Sequence, residues 1–236
     1  MRQVFVAHVP VRLDRAEVQR YAGFPRGSRV PANVEGMLDA LMADAPRIVK
    51  PAAVYRLFAV ERPVEDPVRL RDGPVLGGRG LMALLRESEY ACAFVVTAGE
   101  GIAGAAKEAI DRGRFTEGLL LDAIGSAAVE SAADHLQELA AREGPPPGGG
   151  RRMFTQRFSP GYCDWPLEEQ RRVFAALDPA QAGVTLTESL LMVPEKSVSA
   201  VFGISPAGVA AFETRRRPPC RGCGAQGCTF RLTVER

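Results

Sequence analysis

The chain has 236 residues, 46% of them hydrophobic, which is enough to bury a sizeable core in one large domain or in a domain with an appendage. Its 30 basic and 28 acidic side chains give a formal net charge of +2, so it lacks the overall field that drives nonspecific binding to nucleic acid or to membrane surfaces. It has neither an apolar run near the roughly 20 residues of a membrane-spanning helix nor a signal-peptide pattern, and we expect a cytoplasmic protein.

The N-terminal part of the chain contains two helical patterns. Asp14 followed three residues later by Glu17 has the form of a capping box, and Gly23 is a natural stop, which predicts a short helix between them. A second helix is predicted to begin at Asn33 as its cap.

Extended segments follow. Residues 53–60 alternate as a strand, and prolines confine residues 64–76 to an edge or a hairpin. The glycines of residues 77–80 resemble a phosphate loop, but the Lys-Ser/Thr ending is missing, so a turn before a helix is the favoured interpretation. The clearest strand is 90–97, and it includes Cys92, for which we expect a buried, inert thiol.

The longest helical pattern runs from Arg114 to Arg142. Small residues around Gly125 would let another segment approach closely. Glu130 stands among alanines and Val129, which leaves two interpretations open. It is either a solvated carboxylate on the helix face or one near the buried side of the helix, where it needs a cationic partner.

A Pro- and Gly-rich break at 144–150 ends this helix, and residues 151–156 then predict a short strand leading to Arg157. Arginine recognises carboxylates through a planar fork of donors that keeps its charge. The Ser159-Pro-Gly turn exposes backbone groups, and Tyr162 offers a ring for stacking and a hydroxyl. Together they suit a small zwitterion that bears an aromatic group, such as an amino acid joined to a nucleoside.

The remainder predicts a helix over 167–177 and strands over 183–190 and 197–204. A helix laid on an antiparallel sheet, and so an α+β fold, is the expected architecture.

Several motifs now occur in order: Arg157-x-x-x-Gly-Tyr162, the following helix, Leu186-Thr-Glu-Ser, Met192-x-Pro and Ser197-Val-Ser. This series resembles the reactivation domain of cobalamin-dependent methionine synthase. The phrases Leu121-Asp-Ala-Ile-Gly-Ser-Ala and Arg20-Tyr-Ala-Gly and the cysteine-rich C-terminus resemble the free-standing reactivation proteins in particular.

The resemblance implies a C-shaped α+β domain with a bent antiparallel sheet and flanking helices, spanning 1–214, followed by a Cys-rich segment, 215–236. It implies binding of S-adenosylmethionine and a part in the reactivation half-reaction of the synthase. There, one electron from a flavodoxin or ferredoxin-type donor and the methyl group of S-adenosylmethionine restore methylcobalamin on a cobalamin-binding partner chain. Whether the chain is itself an enzyme or a subunit of the synthase stays open.

Carried over by position, the resemblance implies that S-adenosylmethionine is bound by Arg157, by the backbone at Ser159, by Tyr162 and by Glu130. An acidic ligand residue just ahead of the arginine is replaced by Arg151 or its neighbours, and the N-terminal aspartate of the family has no match here.

Cys220, Cys223 and Cys228 form a C-x2-C-x4-C arrangement among glycines, which points to metal because thiolates at such spacing can wrap an ion. The metal group is either an iron–sulfur cluster or a zinc ion. A fourth ligand is missing, and Cys163 either supplies it or lines the pocket. With Arg215-Arg-Arg nearby, two other hypotheses stay open: an iron–sulfur electron-transfer activator of a corrinoid protein, and a zinc-clipped nucleic-acid binder, which the near-neutral charge disfavours.

Overall fold

A computed structural model of the protein describes residues 1–25, 27–143 and 152–206. The strands are β1 (Val4–Val6), β2 (Ala52–Ala59), β3 (Val68–Arg69), β4 (Val75–Leu76), β5 (Tyr90–Thr97), β6 (Arg152–Phe154), β7 (Thr185–Leu186), β8 (Met192–Val193) and β9 (Ser197–Pro206). The α-helices are α1 (Arg15–Tyr21), α2 (Ala32–Ile48), α3 (Arg79–Leu85), α4 (Glu100–Asp111), α5 (Phe115–Glu143) and α6 (Gln170–Ala176).

Among the described residues, the main sheet has five strands in the order β1-β2-β5-β9-β6, and every neighbouring pair is antiparallel. β5 lies at its centre and pairs along its whole length with β2 and β9. Its aromatic and β-branched residues suit a strand whose two faces are both covered. The α+β prediction is therefore confirmed. Cys92 is fully buried on β5, and burial raises the pKa of its thiol well above the usual value, as expected of an inert cysteine.

Helices and loops cover the two faces of the sheet and form a core on each side. Alternation along β2 shows this division: Tyr55 and Leu57 belong to one core, while Val54 and Phe58 belong to the other. α2, α4 and α5 pack on the first face, and α3 and α6 contribute to the second. The long helix α5 is the element that carries the candidate site across the first face.

Three predicted boundaries are wrong. α2 begins after Pro31, not at Asn33, because proline already supplies the extended backbone that precedes a helix. The predicted strand 183–190 is reduced to β7, which pairs only with β8 in a separate two-stranded sheet. Thr187 explains this: its hydroxyl accepts from the Leu191 amide at 3.0 Å, and the chain turns back there. The helix predicted at 167–177 opens with a 3-10 turn, Leu167–Glu169.

Of the two alternatives predicted for residues 64–76, an edge or a hairpin, the structure has the hairpin, formed by β3 and β4. The boundary predicted between 214 and 215 lies outside the described residues, as does the Pro- and Gly-rich break at 144–150. Within the described ranges, no helix is both long and apolar enough to cross a membrane.

Candidate functional site

The guanidinium of Arg157 joins three side chains of α5. Its Nη1 donates to Asp134 Oδ1 at 2.6 Å and to Gln137 Oε1 at 2.8 Å, and its Nη2 donates to Glu130 Oε2. Arg157 itself is only 20% exposed. Burial opposes its positive charge, but the two carboxylates outweigh burial and raise the pKa of Arg157 above its usual value. The arginine is thus a permanently charged, preorganised donor.

Helix geometry explains why these three acceptors converge. Residues 130, 134 and 137 are separated by four and three positions, so their side chains lie along one stripe of α5. The neighbours Val129, Ala132 and Ala133 are buried and fasten the adjoining face of the helix to the core. Glu130 has features of both interpretations. Its side chain is 41% exposed, as a solvated carboxylate would be, and it also has a cationic partner in Arg157.

Gln137 is the member of this group that sequence reasoning missed. It is 4% exposed, and while its Oε1 accepts from Arg157, its Nε2 donates to the Thr155 carbonyl at 3.0 Å. The amide therefore ties the guanidinium to the backbone that leads into it. Asp134 was also missed. The role of a polar side chain on a mostly apolar helix cannot be predicted from the sequence when its partner is distant in the chain, and Arg157 is 23 residues from Asp134.

The first helix adds an aromatic side chain. The Arg12 amide donates to Ser131 Oγ at 2.8 Å, which holds the segment before α1 against α5. Burial raises the pKa of Tyr21, at the end of α1, and the charge of Glu130 raises it further. The guanidinium of Arg20 lies 4.2 Å from the centre of the Tyr21 ring. Tyr21 is thus within electrostatic reach of the carboxylate predicted to bind ligand.

A tight turn follows Arg157. Phe158 forms a bridge with Val201 of β9, and then the amides of Tyr162 and Trp165 donate to the carbonyls of Ser159 and Tyr162 at 3.3 and 3.0 Å. Gly161 takes a φ of 89° in this turn, a conformation that glycine adopts readily. Ser159 is half-buried, and Tyr162 is 67% exposed. We call residues 159–165 the binding turn, after the ligand contacts predicted for Ser159 and Tyr162.

The structure therefore places the predicted residues on two adjoining elements. Arg157 contacts Glu130 directly, and the binding turn that contains Ser159 and Tyr162 begins two residues after Arg157. Cys163 also lies in this turn and is exposed. The predicted metal ligands Cys220, Cys223 and Cys228 lie outside the described residues. Inside the described ranges, no three His, Cys, Asp or Glu side chains are grouped so as to hold a metal ion.

Residues 149–214 match the family described as vitamin B12 dependent methionine synthase, activation domain. This segment includes Arg157 and the binding turn but not Glu130. The resemblance predicted from the sequence is thereby confirmed.

The chain is similar to the solved structure of the MetH reactivation domain bound to AdoHcy, with a TM-score of 0.53 and 22% sequence identity. The match covers 74% of this chain and 64% of that one, so the chain spans a little under two thirds of the length of its structural neighbour. No curated protein gives a significant match.

Proposed function

We propose that this protein binds S-adenosylmethionine and serves in the reductive reactivation of a cobalamin-dependent methionine synthase, where it holds the methyl donor for a corrinoid on a partner chain. The observation that supports this most is the pairing of Arg157 with Glu130 and Asp134 at the start of the binding turn, inside a segment that matches the activation-domain family.

The charges of the site suit this ligand. The α-carboxylate of an amino acid would take the guanidinium fork of Arg157, and its ammonium group would take a carboxylate of α5. One ion pair of Arg157 with α5 would then be replaced by two with the ligand, one from the guanidinium to its carboxylate and one from its ammonium to the released carboxylate of α5. Two carboxylates face one guanidinium, so these three groups have a net charge of −1 and favour a ligand with a net positive charge. S-adenosylmethionine has such a charge because of its sulfonium.

Binding and positioning are the chemistry that these residues supply. The methyl group of a sulfonium is already activated, so holding it in line with the acceptor can supply much of the rate. Its C–S bond breaks with the electron pair left on sulfur, and the neutral thioether S-adenosylhomocysteine remains. Tyr162, two-thirds exposed on the binding turn, would stack on the adenine.

The other reactants belong to other proteins under this proposal. The corrinoid is held by the cobalamin-binding chain of the synthase, and the single electron that cob(II)alamin requires comes from a flavodoxin or ferredoxin-type donor. These partners rest on the resemblance alone.

Metal binding at Cys220, Cys223 and Cys228 rests on their spacing. An iron–sulfur cluster there would favour the second candidate, an electron-transfer activator of a corrinoid protein. Metal analysis and visible absorbance after anaerobic reconstitution distinguish the two. A colourless protein with stoichiometric zinc would eliminate the electron-transfer function.

Calorimetric titration with S-adenosylmethionine tests the main proposal. The wild-type protein should bind the ligand, and Arg157→Ala should abolish binding while the protein stays folded. Arg112→Ala is a matched control, because its exposed ion pair with Glu108 lies on α4 and the turn after it. Absence of heat with folded wild-type protein, or unchanged binding by Arg157→Ala, would refute the proposal.

A further inference from the structure

The glycine-rich segment at residues 77–80, which we call the glycine loop, has its backbone amides occupied by carboxylates of the protein. The Gly77 amide donates to Glu169 Oε2 at 2.9 Å, and the Gly78 amide donates to Asp66 Oδ1 at 2.9 Å. The Gly80 amide donates to both carboxylate oxygens of Asp164 at 3.1 and 3.2 Å. Carboxylates in these positions exclude a phosphate by repulsion and occupancy, so the phosphate-loop interpretation is wrong here.

Asp164 belongs to the binding turn, and it reaches the loop because residue 80 is glycine. A Cβ at that position would lie 2.6 Å from Asp164 Oδ1 and 3.2 Å from Phe158 Cζ. At Gly78, where φ is +128°, a Cβ would lie 3.1 Å from Trp165 Cδ1. The loop therefore fits against the binding turn with no space for a side chain at either glycine.

The opposite side of the turn is held by the sheet. Trp165 is 1% exposed and stacks on Phe158, with ring centres 5.5 Å apart. Phe158 in turn exchanges backbone hydrogen bonds of 2.8 and 2.9 Å with Val201 of β9. Between these two supports the backbone at Gly161 and Cys163 has φ values of 89° and 51°. For cysteine a positive φ is unfavourable and persists only where the surroundings impose it.

We propose that the glycine loop and Asp164 are positioning elements for the S-adenosylmethionine site: by holding the far end of the binding turn, they keep Ser159 and Tyr162 in the conformation that binds ligand. The inference rests on the proposed function. If only a fraction of the molecules hold the turn correctly, the apparent dissociation constant rises in inverse proportion to that fraction.

Asp164→Ala and Asp164→Asn separate positioning from direct contact with ligand. Alanine removes the acceptor for the Gly80 amide, whereas asparagine keeps an oxygen acceptor and loses only the charge. We expect Asp164→Ala to weaken S-adenosylmethionine binding about tenfold and Asp164→Asn to bind within about threefold of wild type. Equal weakening by both would show that the charge acts on the ligand itself and would overturn the positioning role.

Gly80→Ala tests the loop from its other side. We expect it to weaken binding as Asp164→Ala does, because its methyl group pushes Asp164 and Phe158 away. Gly104→Ala is the matched control: it also lies inside a helix, and a Cβ there meets nothing within 4 Å. Wild-type affinity in Gly80→Ala would overturn the proposal.

Trp165 reports on the turn without any ligand, since it is the single tryptophan of the chain. In the free protein, Asp164→Ala and Gly80→Ala should shift its emission to longer wavelength and increase its quenching by acrylamide, while Asp164→Asn and Gly104→Ala should not. Unchanged emission in Asp164→Ala and Gly80→Ala would refute the proposal that the glycine loop and Asp164 hold the binding turn. If the wild-type protein fails to bind S-adenosylmethionine, the proposed function fails, and this fluorescence comparison still shows whether the loop holds the turn. If the wild-type protein binds S-adenosylmethionine and Asp164→Ala binds it with equal affinity, the positioning role is refuted and the proposed function is not.

Discussion

Replacing Arg157 by alanine should lower the stability of the folded protein measurably, even without ligand. The largest contribution comes from Gln137, whose buried Oε1 loses its donor while its Nε2 stays bound to Thr155. A buried polar atom left without a partner costs about 1–3 kcal/mol. Glu130 and Asp134 are 41% and 45% exposed, so water replaces the guanidinium, and each ion pair contributes less than about 1 kcal/mol.

The expected sum is a loss of about 2 kcal/mol in the free energy of unfolding. For a protein of this size that corresponds to a fall of about 4–8 °C in the melting temperature. Arg157→Lys should lose nearly as much, because one ammonium group cannot bind three acceptors in the plane of a fork.

Denaturant unfolding followed by circular dichroism measures this change. Arg112→Ala again provides the control, since its ion pair with Glu108 joins side chains that are 65% and 56% exposed and should change stability by less than about 0.5 kcal/mol. An Arg157→Ala midpoint equal to that of the control would refute the buried network around Gln137.

Two further predictions concern Glu130, which pairs with Arg157, and Tyr21, whose pKa is raised by burial and by Glu130. Glu130→Gln should weaken the binding of S-adenosylmethionine about tenfold more than that of S-adenosylhomocysteine, because only S-adenosylmethionine has a sulfonium charge. Calorimetry with both ligands measures this difference. Equal losses of affinity for the two ligands would contradict the charge argument. Tyr21 has a pKa raised by burial and by Glu130, so its contribution to stability is complete below about pH 10, the unfolded value, and is lost as pH rises through the higher folded pKa. Tyr21→Phe should therefore flatten the decline in unfolding free energy above about pH 10, and a decline as steep as that of wild type would show that Tyr21 does not titrate this way.

Local patterns were sufficient for much of the architecture. The apolar run over residues 90–97 predicted β5 at its observed bounds, and the prolines limited residues 64–76 to an edge or a hairpin, of which the hairpin of β3 and β4 is observed. The binding turn could also be predicted, because Pro and Gly limit the backbone in ways that depend on adjacent residues. Each of these features is set by interactions within a few positions of the chain.

The sequence by itself thus determined the α+β class, the long helix α5 and the arginine with its turn. Only the tertiary structure decided which groups come together there: Gln137 bonds to Arg157, Tyr21 lies within electrostatic reach of Glu130, and the glycine loop bonds to Asp164. The physical reason is that a hydrogen bond or a close approach depends on distance in space, and these partners are separated by 20 to 109 residues along the chain. Neither residue type nor spacing in the sequence contains that distance; it is set when the helices pack on the sheet.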